Sequence, residues 1–173
     1  MPYRFLAALA AASLLLVPSA FAQPADSGGE GLVIAGFAPE ASDSFALPLR
    51  GRLESGFGYR WGRLHAGVDI SVLDTDRVRA ALGGTVVKVG FQNQYAGYGN
   101  VVLLRHGKGL ATLYAHLARM GVRVGERVER GELLGRAGCT GSCTGQHLHF
   151  EVRLVGKPVS PMPYLKDVAG SLR

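Results

Sequence analysis

Two of the five histidines in this 173-residue chain, His147 and His149, stand at i and i+2 in Gln146-His147-Leu148-His149-Phe150-Glu151-Val152-Arg153-Leu154. A strand through this segment puts Leu148, Phe150, Val152 and Leu154 on one face and His147, His149, Glu151 and Arg153 on the other. Both imidazoles then project the same way, about 7 Å apart, from a scaffold rigid enough to hold a metal. Upstream, Leu64-His65-Ala66-Gly67-Val68-Asp69-Ile70 supplies a further imidazole and a carboxylate four residues on. Two His and one carboxylate leave the fourth corner of a tetrahedral zinc open. A hydrolytic zinc needs that corner, where it lowers the pKa of a bound water and polarises a carbonyl under attack.

The elements that must position these groups read as strands. Thr85–Val89, Asn100–Arg105, Leu110–His116 and Leu148–Leu154 are rich in Val, Leu, Thr and aromatics, and 25 glycines punctuate the chain. With no long amphipathic helix in the pattern, the expected fold is all-β: an antiparallel sandwich or half-barrel whose Gly-rich loops form a zinc-containing groove. Gly84-Thr85-Val86-Val87 and Val124–Gly131 are similar to the half-barrel turns of lipoyl and biotinyl carriers, but the turn offers no acceptor Lys. That favours the architecture and argues against a carrier function.

Ordered blocks now make the sequence recognisable. Ser55-Gly56-Phe57-Gly58-Tyr59-Arg60, His65-x-Gly67-x-Asp69, Gly97-Tyr98-Gly99-Asn100, Tyr114-Ala115-His116-Leu117 and Gly145-Gln146-His147-Leu148-His149-Phe150-Glu151 follow one another at compatible spacing. From Ser55 to Val152 the chain resembles the lysostaphin-type (LytM-domain) zinc endopeptidases of bacterial peptidoglycan. The resemblance implies His65, Asp69 and His149 as ligands of one Zn2+, with His116 and His147 as the unligated catalytic pair. One of that pair would take a proton from water and the other would stabilise the oxyanion. Asn100 is expected to shape the cleft, and Tyr95 and Tyr98 to wall the substrate groove. Glu151 is expected in an ion pair or at the surface, and His106, in Arg105-His106-Gly107-Lys108-Gly109, as a turn or surface histidine. Gln146 and Cys143 depart from the family's commoner Pro and Ser, which bears on turn rigidity and not on the ligands.

Cys139 and Cys143 precede the His-x-His strand. Export to an oxidising compartment favours a local disulfide that braces this turn over a structural zinc knuckle, which would leave His65, Asp69 and His116 without a role. Export is read from residues 1–22, where one Arg, an apolar run from Phe5 to Val17 and Ala20-Phe21-Ala22 form a signal-peptide pattern. That run is shorter than the roughly 20 residues of a membrane span, so no transmembrane anchor is expected after cleavage. The expected organisation is a signal at 1–22, a flexible leader at 23–45, the peptidase domain at 46–160 and a tail at 161–173. Losing the one signal Arg takes the formal charge from +6 to +5. An exported basic protein meets anionic wall polymers or headgroups and not nucleic acid. Peptidoglycan stems or cross-bridges are the expected partner, in the periplasm or outside the cell. The alternative is an inactive LytM-type domain that binds and activates another wall hydrolase; such domains typically lose ligands, and here all five positions are filled.

Overall fold

The computed structural model describes residues 45–165. The expected signal peptide, all of the leader but Phe45, and the tail beyond Leu165 lie outside the described residues. Six strands come first: β1 Gly51–Ser55, β2 Gly58–Arg60, β3 Arg63–His65, β4 Val68–Val72, β5 Arg77–Arg79 and β6 Gly84–Phe91. A 3-10 segment, Asn93–Tyr98, leads into β7 Asn100–Gly107, β8 Leu110–Ala115 and β9 Leu117–Met120. There follow β10 Arg127–Val128, β11 Leu133–Ala137, β12 His147–Leu154, β13 Lys157–Val159 and one short helix, α1 Met162–Leu165. The all-β expectation holds, and every strand pairing among the described residues is antiparallel.

The large sheet runs in the order β1-β4-β12-β8-β7-β6-β10, with β13 beside the end of β12. A smaller sheet, β5-β11-β9, covers one of its faces, and β2-β3 forms a separate hairpin. Leu148, Phe150, Val152 and Leu154 of β12 join Ile70, Val86, Val102, Leu104 and Tyr114 in the core, against Val78, Leu117, Leu134 and Ala137 of the small sheet. Each fully buried Leu or Phe contributes about 1.5–3 kcal/mol relative to exposure, so strict alternation on β12 decides which face turns inward. The core continues at both ends of the described chain: Phe45 and Leu165 are buried, with the Phe45 ring 5.1 Å from that of Tyr164.

The opposite face of the large sheet is also partly dry. Val101, Leu103, Leu113 and Ala115 form a second cluster under Tyr95 and Tyr98 of the 3-10 segment. This cover places the polar face of β12 inside the protein and not in open solvent.

Candidate metal centre

Along the β4–β12 ladder, His149 stands opposite Asp69 and His147 opposite Ser71. Asp69 and His149 are therefore cross-strand neighbours on the face away from the main core. His65 arrives from the β2–β3 hairpin, and the link between it and Asp69 passes close under β12. A Cβ at Gly67 would lie 2.2 Å from the Phe150 carbonyl oxygen, so only glycine lets the two strands meet here.

Three ligand atoms converge. His65 Nε2 lies 3.1 Å from Asp69 Oδ1 and 3.1 Å from His149 Nδ1, while His149 Nδ1 lies 2.8 Å from Asp69 Oδ1. A tetrahedral zinc with bonds of about 2.0–2.1 Å has ligand–ligand edges of roughly 3.3–3.4 Å, so the triangle suits three ligands of one ion. Proton positions support the same conclusion. His65 Nδ1–H donates to the Gly56 carbonyl at 2.6 Å, leaving Nε2 as the lone-pair nitrogen. His149 Nε2 faces a Glu151 oxygen at 3.2 Å, so the proton sits there and Nδ1 carries the lone pair. Two lone pairs and a carboxylate oxygen repel one another at these distances unless positive charge lies among them, and the three residues can hold a metal ion.

A proton on an imidazole is the alternative source of that positive charge. Burial opposes the charge of Asp69, but hydrogen bonds and charge from His149 and His65 hold its carboxyl far below the usual range. Burial likewise opposes protonation of His149, yet its bonds to Asp69 and Glu151 raise its pKa. The second oxygen of Asp69 lies 3.5 Å from the Arg60 guanidinium, which leaves Oδ1 to the histidines.

His116 and His147 stand beside this triangle, their ring centroids 4.6 Å apart. His116 Nδ1–H donates to the Thr140 carbonyl at 2.8 Å, and His147 Nδ1–H to the Gly145 carbonyl at 2.8 Å. Each ring thus keeps Nε2 as a lone-pair nitrogen. Burial, together with the charges of His147 and His149, presses the pKa of His116 down and favours its neutral form. His116, between β8 and β9, has φ of 60°, and its backbone N–H donates to the Tyr98 carbonyl at 2.9 Å. A non-glycine residue in that region is uncommon and costs energy, here in turning the imidazole out of the strand.

The other expected site residues are close by, with their polar atoms already engaged. Asn100 Nδ2 donates to the Leu117 carbonyl at 3.1 Å, and its backbone N–H donates to Thr140 Oγ1 at 3.0 Å. Tyr98 donates its hydroxyl proton to Glu151 at 2.6 Å, and Tyr95 accepts from Arg153 at 3.2 Å. Cys139 and Cys143 are joined as a disulfide whose loop contains Thr140, the acceptor for His116. Glu151 is in an ion pair, as one branch of the expectation had it, but it is fully buried, with Oε2 accepting from Arg153 Nε at 2.6 Å.

His106 corrects the sequence reading. It lies on β7, half-buried, with Nδ1–H donating to the Gly83 carbonyl at 2.8 Å and Nε2 2.8 Å from the Thr112 hydroxyl. The sequence reading also passed over the tip of the β2–β3 hairpin. Trp61 there is 92% exposed and Tyr59 82% exposed, and Trp61 edges a hollow of about 230 Å³ that His65 lines as well. A larger concavity of about 870 Å³ lies at the other end of β7, among Arg105, His106 and Arg127 and away from the histidine cluster. The ligand geometry, and not cavity size, identifies the site.

The family model for peptidase family M23 matches residues 63–161. Among curated proteins, the DD-carboxypeptidase/endopeptidase Mpg of Neisseria meningitidis serogroup B is 42% identical over 118 residues, which cover 64% of this chain and 26% of Mpg. The murein hydrolase activator NlpD of Salmonella typhimurium is 35% identical over 118 residues, covering 68% of this chain and 30% of NlpD. The chain thus spans about a quarter to a third of the length of these relatives. Among solved structures, the antimicrobial peptidase lysostaphin from Staphylococcus simulans superposes with a TM-score of 0.64 at 32% identity, over 76% of this chain and 56% of lysostaphin.

Proposed function

The chain belongs to peptidase family M23, and on that premise we propose that it is an exported zinc metalloendopeptidase that hydrolyses the peptide cross-links of bacterial peptidoglycan. The observation that carries this reading is the convergence of His65 Nε2, Asp69 Oδ1 and His149 Nδ1 beside two further imidazoles whose Nδ1 protons are committed to backbone carbonyls. A zinc ion bound by the three would supply an activated water and polarise the scissile carbonyl.

The chain's own residues do the rest. His116, pressed toward its neutral form, offers Nε2 as a proton acceptor, and His147, beside it, stabilises negative charge on the carbonyl oxygen when its Nε2 carries a proton. Asn100 and Thr140 fix the Leu117 carbonyl and with it the turn that carries His116. The Tyr95–Tyr98 segment and the exposed Trp61 at the hairpin tip would wall the groove through which an extended peptide passes. The positive charge of the chain favours the anionic wall as its surroundings, in the periplasm or the medium.

Digestion of purified peptidoglycan, followed by mass analysis of the released fragments, tests this. Loss of cross-linked fragments should be abolished by chelator and by His149→Ala, and restored to the chelated wild type by zinc. The similarity to the activator NlpD supports a second reading, in which the domain binds and activates another wall hydrolase. A folded, zinc-loaded protein that cleaves no wall type but stimulates a partner hydrolase would establish that reading instead.

A further inference from the structure

Glu151 is a fully buried carboxylate two residues beyond His149 on the same face of β12. Its cross-strand neighbour is the apolar Leu113, and the site reaction described above does not use it. A carboxylate withdrawn from water costs several kcal/mol unless its lone pairs are taken up. Here Oε1 receives the Tyr98 hydroxyl at 2.6 Å and lies 3.2 Å from His149 Nε2, while Oε2 receives Arg153 Nε at 2.6 Å. Arg153 in turn donates to the Tyr95 hydroxyl at 3.2 Å and lies 5.3 Å from the centre of that ring. Tyr98 also packs edge-on against His149, their centroids 5.0 Å apart.

We propose that Glu151 is the positioning residue that fixes which nitrogen of His149 is offered to the metal, and that it binds the Tyr95–Tyr98 segment and this ligand into one hydrogen-bonded unit. The inference rests on the reading of His149 as a zinc ligand. The competing arrangement is a proton on His149 Nδ1, which would donate to Asp69 Oδ1 at 2.8 Å and occupy two ligand atoms at once. An acceptor on Nε2 holds the proton on the other side of the ring, and carboxylate partners of this kind raise the basicity of the coordinating nitrogen. Arg153 alone would account for a buried carboxylate. It would not account for Oε1 facing away from Arg153, shared between a metal-facing imidazole and the segment beside it.

The test uses the full chain and Zn2+ itself. Glu151→Gln and Glu151→Leu are compared with the wild type in competition against a chromophoric chelator, with unfolding curves of the metal-free proteins as the check on folding. Zinc affinity should fall by roughly 10–100-fold in Glu151→Leu and by less in Glu151→Gln, which keeps an acceptor. In the zinc-loaded wild type, nitrogen-15 NMR of the imidazoles should show the proton of His149 on Nε2, slow to exchange. In Glu151→Leu that resonance should be lost to exchange, and the visible spectrum of the Co2+-substituted protein should change. A folded Glu151→Leu protein with wild-type zinc affinity, His149 tautomer and cobalt spectrum would overturn the proposal and reduce Glu151 to a counter-ion for Arg153. Should neither Glu151 variant fold, Tyr98→Phe decides: it removes one bond to Oε1, and an unchanged zinc affinity and cobalt spectrum would count equally against the proposal. Failure of the underlying reading looks different, because His149→Ala would then bind zinc as the wild type does.

Discussion

His106 and His149 both sit on strands of the large sheet, and both are withdrawn from solvent, yet their ring nitrogens meet opposite surroundings. At His106 one nitrogen has a carbonyl and the other a hydroxyl, which can donate or accept, so a neutral ring satisfies both partners. At His149 one nitrogen has the Glu151 carboxylate, and the other faces a second carboxylate and the lone pair of another imidazole. A neutral ring cannot satisfy that second side without a cation. The contrast explains why burial governs the first, pressing its pKa down. At the second, burial is outweighed and the pKa rises. A structural histidine and a candidate ligand histidine are therefore told apart by what lies beyond each nitrogen, and not by depth.

The largest effect is expected at the proposed ligand, His149. His149→Ala should abolish wall hydrolysis and weaken zinc by about 10²–10³-fold, taking one ligand's share of the ~10–16 kcal/mol typical of four-ligand structural sites. His106→Leu should change neither quantity, and calorimetric zinc titration of both variants checks this. Next in size, His116→Ala should lower hydrolysis by roughly 10²–10⁴-fold while zinc affinity stays within a few-fold of wild type. Rates on a cross-linked fragment, read beside the same titration, separate the two effects.

His106→Leu should instead cost about 1–3 kcal/mol of stability, because the Gly83 carbonyl loses its imidazole donor and the Thr112 hydroxyl is left with Tyr114 alone. Urea unfolding of the metal-free protein measures it. The smallest effect is one of slope. With its folded pKa pressed below about 6.5, His106 takes up its proton more readily in the unfolded chain, so its contribution is lost as pH falls from there through the folded value. His149, with its folded pKa raised, contributes stability that is present below about 6.5 and lost as pH rises through the folded value. In chelated protein, His106→Gln and His149→Ala should therefore tilt the curve of stability against pH in opposite directions.

Much of this arrangement was legible on β12, because its apolar face alternates without a break and leaves both imidazoles on the other side. The His65–Asp69 spacing says little alone, and it gained meaning only from the ordered blocks around it. The burial of Glu151 was not legible, since it depends on Tyr95 and Tyr98 folding back from more than fifty residues away. His106 was misread because Gly107-Lys108-Gly109 looks like a turn reaching back to it. Its phase with Val102 and Leu104, both on the core side of β7, was the available signal. The exposure of Tyr59 and Trp61 follows from a hairpin that stands apart from both larger sheets, which no local pattern announces.

The place of β12 in the sheet has a consequence in time. Among the described residues it is the last long strand, yet it lies inside the sheet, and β1-β4 joins β8-β7-β6-β10 through it. A chain that emerges from its N-terminus can form the β6–β7–β8 meander early, because those contacts are local, but it cannot close the sheet until residues 147–154 arrive. His149 and Asp69, 80 residues apart, meet in that same closing step. The candidate centre is thus completed last, and a chain cut short before β12 has an unfinished sheet and only His65 and Asp69 of the three converging residues.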